Sequence, residues 1–390
     1  MHESEALPQL AVRSLRLVDF RNHASSRLDE IDAPLVVLAG ANGAGKTNVL
    51  EALSLLAPGR GLRRAAFADM ASIGGQGMDG GWALHFRLHG LRGPVEVGMR
   101  WQPGEAPDSA GSRLLKIGGK QAKSAAALGD HLRVAWLTPA MDGLFTGAGS
   151  ERRRFIDRLT LAVDPAHGGR INALERLLRQ RNRLLPEWRA QGRWLDAIEA
   201  QLAEVAVAVA AARLVTVEAM AVGMALLDAL DGVFPRARLA MRGWLEEQLA
   251  QAPALEVEDA YRAQLAAARA EDAAAGRTLI GAHRSDLEVA HVEKDMPAKL
   301  CSTGEQKALL IALMLAHAQA VRDTLGGTAP LLLLDEVAAH LDGARRAGLF
   351  AALQRLGAQA WITGTDAELF GDLRGTARFF VIDNGQVRIG

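Results

Sequence analysis

Gly40-Ala41-Asn42-Gly43-Ala44-Gly45-Lys46-Thr47 decides the fold, because these eight residues match the pattern G-x-x-x-x-G-K-[ST] completely. The apolar run Leu35–Ala39 before this loop predicts a buried strand, and NVLEALSLLA after it has helical spacing. Glycines let backbone N–H groups turn inward around an anion, and the following helix presents its positive end to that anion. We therefore predict that the loop binds a nucleoside triphosphate, with Lys46 on the β- and γ-phosphates and Thr47 on magnesium.

A second apolar run ends in two carboxylates, Leu331-Leu332-Leu333-Leu334-Asp335-Glu336. In a phosphate-loop enzyme the first carboxylate holds the magnesium shell, and an adjacent glutamate can polarise the attacking water. Asp335 lies 295 residues after Gly40. A compact phosphate-loop kinase usually needs far less chain between these elements, so we infer that a large segment is inserted between them.

Ser302-Thr303-Gly304-Glu305-Gln306 opens a predicted long helix over residues 303–325, with the serine in the N-cap position. Such a helix start favours an anion. The pentapeptide resembles the S-G-G-x-Q signature of ABC-type ATPases, and it lies 33 residues before Asp335, in that family's order. In the family, this signature binds the γ-phosphate of a nucleotide held by the partner subunit. Residues 339–342 (AHLD) similarly resemble the family's D-loop, a subunit-contact segment.

Other motifs resemble the RecF family, the SMC-related ATPases of bacterial recombinational repair. In chain order they are LRLVDFRNH (residues 15–23), Asn42 and NVLEA (48–52) beside the phosphate loop, GRGLRR (59–64), GSERRRFID (149–157) and GAHRSDL (281–287). The departures from the expected patterns include Ser285, which replaces the first of two aspartates, and Thr365, which stands where transporter-type ABC ATPases place a switch histidine. The missing histidine points away from a transporter and argues against fast, switch-assisted hydrolysis.

The 390-residue chain has the composition of a soluble globular protein with more than one domain, at 49% hydrophobic and 23% charged residues. Equal counts of 45 basic and 45 acidic residues exclude a chain that is basic throughout, but not local patches. The single Cys301 excludes an intrachain disulfide framework. No uninterrupted apolar run of about 18 residues is present, and the N-terminus lacks a signal-peptide profile, so we expect a cytoplasmic protein without a membrane partner.

Hydrophobic periodicity predicts three segments. Residues 1–149 are the first part of an ATPase lobe, with the phosphate loop and, over 82–138, a mostly antiparallel meander. Residues 150–275 are a helical second lobe, with helical periodicity to about residue 273, and residues 276–390 complete the ATPase lobe with the signature helix and the 331–334 strand. The predicted fold class is α/β: an ABC-type phosphate-loop ATPase head with an inserted, mostly helical second lobe.

Charge is distributed unevenly within the predicted insert. Residues 151–193 hold eleven arginines and five carboxylates, a net +6, whereas residues 196–272 hold six arginines and thirteen carboxylates, a net −7. Clusters of arginine can reach DNA phosphates, and the candidates are Arg60, Arg63, Arg64, Arg176, Arg179 and Arg183. A solvated helix face, or ion pairs with the acidic half, is the alternative for the last three. Residues 152–154 (RRR) could also form structural contacts.

The resemblance implies a slow ATPase that dimerises on ATP, binds double-stranded, gapped or junction DNA, and assists RecA loading in recombinational repair and the SOS response. It implies ATP and Mg²⁺ as cofactors and RecR and RecO as partners. The implied catalytic residues are Lys46, Asp335 and Glu336. Nucleotide contacts come from residues 40–47, Arg21, Ser302, Gly304 and Gln306, and Thr47 and Asp335 hold the metal. Two alternatives remain: the ATPase subunit of a membrane transporter and a small-molecule kinase.

Overall fold

The computed structural model describes residues 9–72, 80–104, 111–227 and 233–390. The strands in these residues are β1 (Ala11–Phe20), β2 (His23–Leu28), β3 (Leu35–Ala39), β4 (Trp82–Gly90), β5 (Gly93–Gln102), β6 (Ser112–Ile117), β7 (Lys120–Gln121), β8 (Val134–Leu137), β9 (Ala237–Arg242), β10 (Asp286–His291), β11 (Met296–Pro297), β12 (Leu331–Leu334), β13 (Ala360–Gly364), β14 (Ala377–Asp383) and β15 (Gln386–Ile389). The helices are α1 (Lys46–Ser54), α2 (Gly149–Val163), α3 (His167–Leu184), α4 (Gly192–Leu227), α5 (Trp244–Leu249), α6 (Ala254–Ala267), α7 (Arg269–Ala275), α8 (Thr303–Thr324) and α9 (Gly343–Leu356).

The chain folds as two compact units. The first comprises Met1–Asp142, Leu226–Phe234 and Met314–Gly390, and the second comprises Gly143–Ala225 and Pro235–Leu313. The second unit begins at Gly143, close to the predicted boundary at residue 150. The second unit, however, continues to Leu313 instead of ending at 275, so the start of α8 belongs to it. The assignment of ATPase and helical lobes to residue ranges stays a prediction.

The phosphate loop is carried by a mostly parallel sheet of the first unit, with strand order β15-β14-β3-β13-β12-β8. Strands β14, β3, β13, β12 and β8 are parallel to one another, and β15 closes one edge in the antiparallel sense. Parallel strands bring their carboxyl ends to the same edge of a sheet, where α/β proteins bind ligands. The loop after β3, the end of β13 and the acidic pair after β12 therefore meet at one edge.

A second sheet of the first unit is antiparallel throughout, in the order β2-β1-β4-β5-β6-β7. This confirms the predicted meander for β4 to β7. The prediction was wrong for residues 134–137, because β8 pairs in parallel with β12 in the other sheet. All four residues of β8 are buried, and a strand covered on both faces reads as a continuous apolar run rather than an alternating one.

The second unit contains α2 to α7 and a small antiparallel sheet in the order β11-β10-β9. Strand β9 lies inside the segment predicted to be helical, so that prediction was wrong there. Its sequence, ARLAMR, consists of residues that favour helices, which hid the strand. Pairing with β10 decides the outcome, and exposed ion pairs such as Arg242–Glu288, at 3.1 Å, cross between the two strands.

Helix α4 is long and apolar enough to cross a membrane by length and composition alone. In the fold, its residues Leu202, Ala206 and Val209 lie in the hydrophobic core of the second unit. The same helix carries Glu199 and Arg213, whose side chains are almost fully buried in ion pairs. This pattern is typical of the core helix of a globular unit.

Arg181 forms the centre of a buried ionic network in the second unit. Its guanidinium donates to Glu199 Oε1 at 2.9 Å and to Asp272 Oδ2 at 2.6 Å, and the arginine side chain is 0% exposed. Thr278 Oγ1 and Leu265 O accept its remaining hydrogen bonds at 2.8 Å each. Arg269 forms a second ion pair with Glu199, so each charge in this network is paired, which burial requires.

We predict that Arg181→Ala lowers the free energy of unfolding by about 3–5 kcal/mol, because it removes the ion-pair partner of the buried Asp272, while Glu199 keeps its ion pair with Arg269. Urea denaturation measures this change. Arg179→Ala on the same helix is the matched control, since the exposed Arg179–Glu175 pair at 3.7 Å should contribute at most about 1 kcal/mol. If the urea concentration at the unfolding midpoint of Arg181→Ala were no lower than that of Arg179→Ala, the prediction would be contradicted.

Candidate functional site

The phosphate loop joins β3 to α1, as its sequence predicts. Gly45 ends the loop with a φ of 117°, a conformation that side-chain-bearing residues rarely adopt. A Cβ at this position would lie 2.7 Å from Asn22 Oδ1 and 2.8 Å from His23 Nε2. Glycine is thus required both by the backbone turn and by the two side chains that pack against it.

Residues Asn22 and His23, at the β1–β2 turn, hold this loop from outside. Asn22 Nδ2 donates to Ala44 O at 2.9 Å, and His23 Nε2 lies 3.1 Å from Gly45 O. The other ring nitrogen of His23 lies 2.9 Å from the carbonyl oxygen of Gly385, whose own N–H donates to Ala44 O at 2.9 Å. Burial lowers the pKa of His23. The β1–β2 turn and the β14–β15 turn therefore both support the phosphate loop from outside.

Lys46 lies folded over its own loop. Its Nζ donates to Gly40 O at 2.7 Å and to Ala41 O at 2.8 Å. Burial lowers the pKa of Lys46, and the carboxylates of Glu336 and Asp335 oppose this shift. The ammonium group is thus positioned between the loop and the acidic pair, where a phosphate group would be neutralised.

Asp335 connects the phosphate loop with the neighbouring strands. Its Oδ1 accepts hydrogen bonds from Thr47 Oγ1 at 3.0 Å and from Thr363 Oγ1 at 2.8 Å. Burial raises the pKa of Asp335, and the hydrogen bonds from Thr363 and Thr47 lower it. The structure therefore brings together Lys46, Thr47 and Asp335, as the sequence predicts.

The donor set at this position fits Mg²⁺. Carboxylate and hydroxyl oxygens are the hard ligands that Mg²⁺ prefers, and it usually binds through one or two carboxylates together with substrate phosphates. In the described part of the chain no group of three or more His, Cys, Asp and Glu side chains could hold a metal ion by itself. A site of Thr47, Asp335 and nucleotide phosphate matches this chemistry.

Glu336 has a strained backbone. Its φ is 54°, in the left-handed region, and its N–H donates to Thr363 Oγ1 at 2.8 Å. Thr363 was not predicted as a site residue, although a polar residue at the end of an otherwise apolar strand is a usable signal. The neighbouring Thr365, in the switch-histidine position, is exposed.

Arg21, predicted to contact nucleotide, is engaged by a buried carboxylate. Its guanidinium donates to Glu51 Oε2 at 2.8 Å and Oε1 at 2.7 Å, and the Glu51 side chain is 0% exposed. Arg63 shares this carboxylate at 3.3 Å and also donates to Asn48 Oδ1 at 2.7 Å. One α1 glutamate thus orients two arginines beside the phosphate loop. The nucleotide contact of Arg21 stays a prediction.

The signature segment begins α8 with a reciprocal capping box. Ser302 N donates to Glu305 Oε2 at 2.9 Å, and Glu305 N lies 3.4 Å from Ser302 Oγ. An ion pair with Lys294 and the Ser302 hydrogen bonds lower the pKa of Glu305 to about 2. Gln306 Nε2 donates to Cys301 O at 2.9 Å. Ser302 and Gly304 are exposed and Gln306 is buried, so the helix start is open to a ligand at its serine and glycine.

The predicted DNA-contact arginines fall into two groups. Arg60, Arg63 and Arg64 lie after α1 in the first unit, and Arg176, Arg179 and Arg183 lie on one exposed face of α3 in the second. Arg179 has an exposed ion pair with Glu175, while Arg176 and Arg183 have no carboxylate partner among the described residues. The alternative of internal ion pairs therefore does not apply to these two arginines, and both a DNA contact and a solvated helix face stay predictions.

Comparisons with known proteins show the family of this chain. The family model described as the RecF/RecN/SMC N terminal domain matches residues 11–387. The DNA replication and repair protein RecF of Mesorhizobium japonicum is 52% identical over 381 residues, which cover 97% of this chain and 98% of that protein. The chain belongs to the RecF family of DNA replication and repair proteins. The RecF of Rhizobium meliloti is similarly 50% identical over 375 residues, covering 96% and 97% of the two chains.

Solved structures place this RecF-family chain among ABC-type ATPase heads. The recombination mediator protein RecF-ATP of the RecFOR pathway superposes with a TM-score of 0.82 at 20% identity, over 100% of both chains. The Smc head domain of Pyrococcus furiosus, bound to the C-terminal domain of ScpA, gives a TM-score of 0.53 at 15% identity, covering 98% and 96%. The predicted family and fold class are confirmed, and these matches do not favour a transporter subunit.

The RecF-family motifs of the second unit serve as internal contacts. Arg152 forms a bidentate pair with Asp286, at 2.8 and 2.7 Å, and Arg153 donates to Ser285 O at 2.9 Å. Ser285, which replaces the expected aspartate, donates through Oγ to the buried Glu246 at 2.8 Å. An aspartate here would place a second carboxylate against Glu246, so the serine removes a like-charge contact.

We predict that Gly45→Ala weakens binding of a fluorescent ATP analogue at least about tenfold, equal to about 1.4 kcal/mol. The added methyl group must displace Asn22 and His23, which hold the loop. Gly118→Ala is the control, because Gly118 also has a positive φ, of 56°, but a Cβ there meets nothing within 4 Å. Equal affinities of the two variants would show that the contact with Asn22 and His23 does not support the loop.

Proposed function

We propose that the protein is an ATP-dependent DNA-binding repair ATPase that dimerises on ATP. The proposal rests above all on the hydrogen bond between Thr47 of the phosphate loop and Asp335 after β12, at 3.0 Å. This contact joins the two elements between which a phosphate-loop ATPase holds its metal and γ-phosphate. The exposed, serine-capped start of α8 adds the element that ABC-type heads present to a second subunit.

Each residue at this end of the parallel sheet has a separate role in this proposal. Lys46 exchanges its loop carbonyls for the β- and γ-phosphate oxygens of ATP, and Thr47 and Asp335 hold Mg²⁺ directly or through water. Mg²⁺ supplies neutralisation of the charge that develops on the transferred phosphoryl group. Glu336 orients and activates the attacking water. Arg21 and the remaining loop residues complete the nucleotide site.

The signature residues Ser302, Gly304 and Gln306 act on the nucleotide of a second copy. Because Ser302 and Gly304 are exposed, they are available to such a copy. Thr365 cannot replace the proton chemistry of a switch histidine, so we expect hydrolysis to be slow and to serve for dimer opening and DNA release.

DNA repair as the biological role follows from the relatives. The proteins named DNA replication and repair protein RecF share about half of their residues with this chain. We accordingly propose that the dimer binds double-stranded DNA at gaps or junctions and assists RecA loading, in recombinational repair and the SOS response. The neighbour named for the RecFOR pathway supports RecR and RecO as partners. We expect this activity in the cytoplasm.

We predict that Lys46→Ala abolishes ATP binding and that Ser302→Arg abolishes ATP-dependent dimerisation while leaving ATP binding to the isolated subunit intact. The first change removes the ammonium group that contacts the ATP phosphates, whereas the second places a bulky side chain at the start of α8. Light scattering with and without ATP measures dimerisation, and a fluorescent analogue measures binding. Wild-type dimerisation or DNA retention by both variants would rule out the ATP-dependent clamp.

We predict that the triple substitution of Arg176, Arg179 and Arg183 by alanine weakens DNA binding and reduces its salt dependence. The slope of log K against log salt should decrease by about 0.9 for each DNA phosphate that the variant no longer neutralises. Alanine substitution of Arg236, Arg238 and Arg242 is the matched control, because each of these exposed arginines has a carboxylate partner, at 2.9, 3.2 and 3.1 Å. Equal slopes for both triple variants would exclude the α3 face as a DNA-binding surface and favour the cluster at residues 60–64.

A further inference from the structure

Thr363 is a buried polar residue at the carboxyl end of β13, which lies between β3 and β12. Its relative exposure is 0%, whereas the next polar residue of the chain, Thr365, is exposed. A hydroxyl in such a position needs hydrogen-bond partners. Thr363 finds both of its partners in the acidic pair at the adjacent strand end.

The direction of these two hydrogen bonds follows from the groups involved. A backbone N–H can only donate, so Thr363 Oγ1 accepts from Glu336 N at 2.8 Å. Its single proton is then directed to Asp335 Oδ1, also at 2.8 Å, because an ionised carboxylate can only accept. One hydroxyl thus controls the side chain of Asp335 and the backbone of Glu336 at the same time.

The backbone of Glu336 needs this support. At a φ of 54° a residue with a Cβ is strained by about 1–2 kcal/mol relative to the right-handed region. The direction of the Glu336 side chain depends on this dihedral angle, since it sets where the Cα–Cβ bond points. The hydrogen bond to Thr363 holds the N–H that would otherwise relax with the chain.

The Asp335 contact has a second consequence. Thr47 donates to the same Oδ1 at 3.0 Å, so the two hydroxyls approach one carboxylate oxygen from the phosphate loop and from β13. Partners of this kind fix the orientation of a metal-binding carboxylate. Thr363 makes no contact with the phosphate loop itself in the hydrogen bonds of the described residues, so its effect on nucleotide passes through Asp335 and Glu336.

We propose that Thr363 is a positioning residue for ATP hydrolysis, whose hydroxyl holds Asp335 and Glu336 in their working orientations. The proposal rests on the proposed ATPase function and deepens it. It separates two properties of the site, because Lys46 and the loop bind the nucleotide whereas Thr363 aligns the groups that act on the γ-phosphate. Loss of the hydroxyl should therefore reduce turnover and spare binding.

Thr363→Val removes the hydroxyl and keeps the shape of the side chain. We expect kcat for ATP hydrolysis to decrease by about 10- to 100-fold, the equivalent of removing a hydrogen bond to a charged group. The KM for ATP, the affinity for a non-hydrolysable ATP analogue and the ATP-dependent dimer should remain close to those of the wild type. Thr363→Ser, which keeps the hydroxyl, should restore most of kcat.

Thr376→Val is the matched control, since Thr376 is exposed in the same unit and its hydroxyl donates to Leu373 O at 3.2 Å. The Thr363→Ser and Thr363→Ala pair repeats the comparison at a smaller volume, so an unfolded valine variant does not remove the test. Thermal unfolding of each variant monitors folding.

Three results would overturn the proposal. Thr363→Val could hydrolyse ATP as fast as the wild type, it could lose analogue binding in parallel with kcat, or Thr363→Ser could be no more active than Thr363→Ala. A wild-type protein that binds ATP without hydrolysing it would instead overturn the proposed ATPase, and this role of Thr363 with it.

Discussion

One buried carboxylate oxygen, Asp335 Oδ1, joins parts of the chain that are far apart in sequence. It accepts from Thr47, 288 residues away, and from Thr363, 28 residues away. A carboxylate buried at this depth requires such partners, because desolvation is otherwise costly. The requirement is met only when β3, β13 and β12 lie side by side in parallel. The order of three strands is therefore the constraint, and the chain between them can be long, which allows the second unit to be inserted.

The phosphate loop depends on this sheet but also on support from outside it. Its glycines allow a backbone that points N–H groups inward, and the same freedom costs conformational entropy when the loop is ordered. Asn22, His23 and Gly385 contact the loop at Ala44 and Gly45 and limit its motion. Strain at Glu336 is offset in a similar way by Thr363. The backbone conformations of the phosphate loop and of Glu336 are thus held by neighbouring residues that do not themselves neutralise phosphate charge.

The sequence was sufficient for the features that are local. The phosphate loop, the acidic pair and the capped start of α8 each combine a motif with the element that it needs, so strand β3 and helices α1 and α8 were predictable. Features that depend on pairing were not. Thr363 acquires its role only from the β12–β13 register, β8 joined the parallel sheet instead of the meander, and β9 was hidden in helix-forming residues. The engagement of Arg21 by Glu51 is equally a product of tertiary packing.

The charges of the second unit show how position on a helix decides the role of an arginine. Leu174, Leu177 and Arg181 recur at spacings of three and four and are buried, and Arg181 pairs with Glu199 and Asp272 from the acidic segment. Arg176, Arg179 and Arg183 repeat the same spacing two positions later, which turns them by about 200° to the opposite face of α3. The basic segment, residues 151–193, and the acidic segment, residues 196–272, therefore do not simply neutralise each other. Folding pairs the arginine in phase with the core, whereas the arginines out of phase lie at the surface, Arg179 beside Glu175, and Arg176 and Arg183 without a carboxylate partner among the described residues.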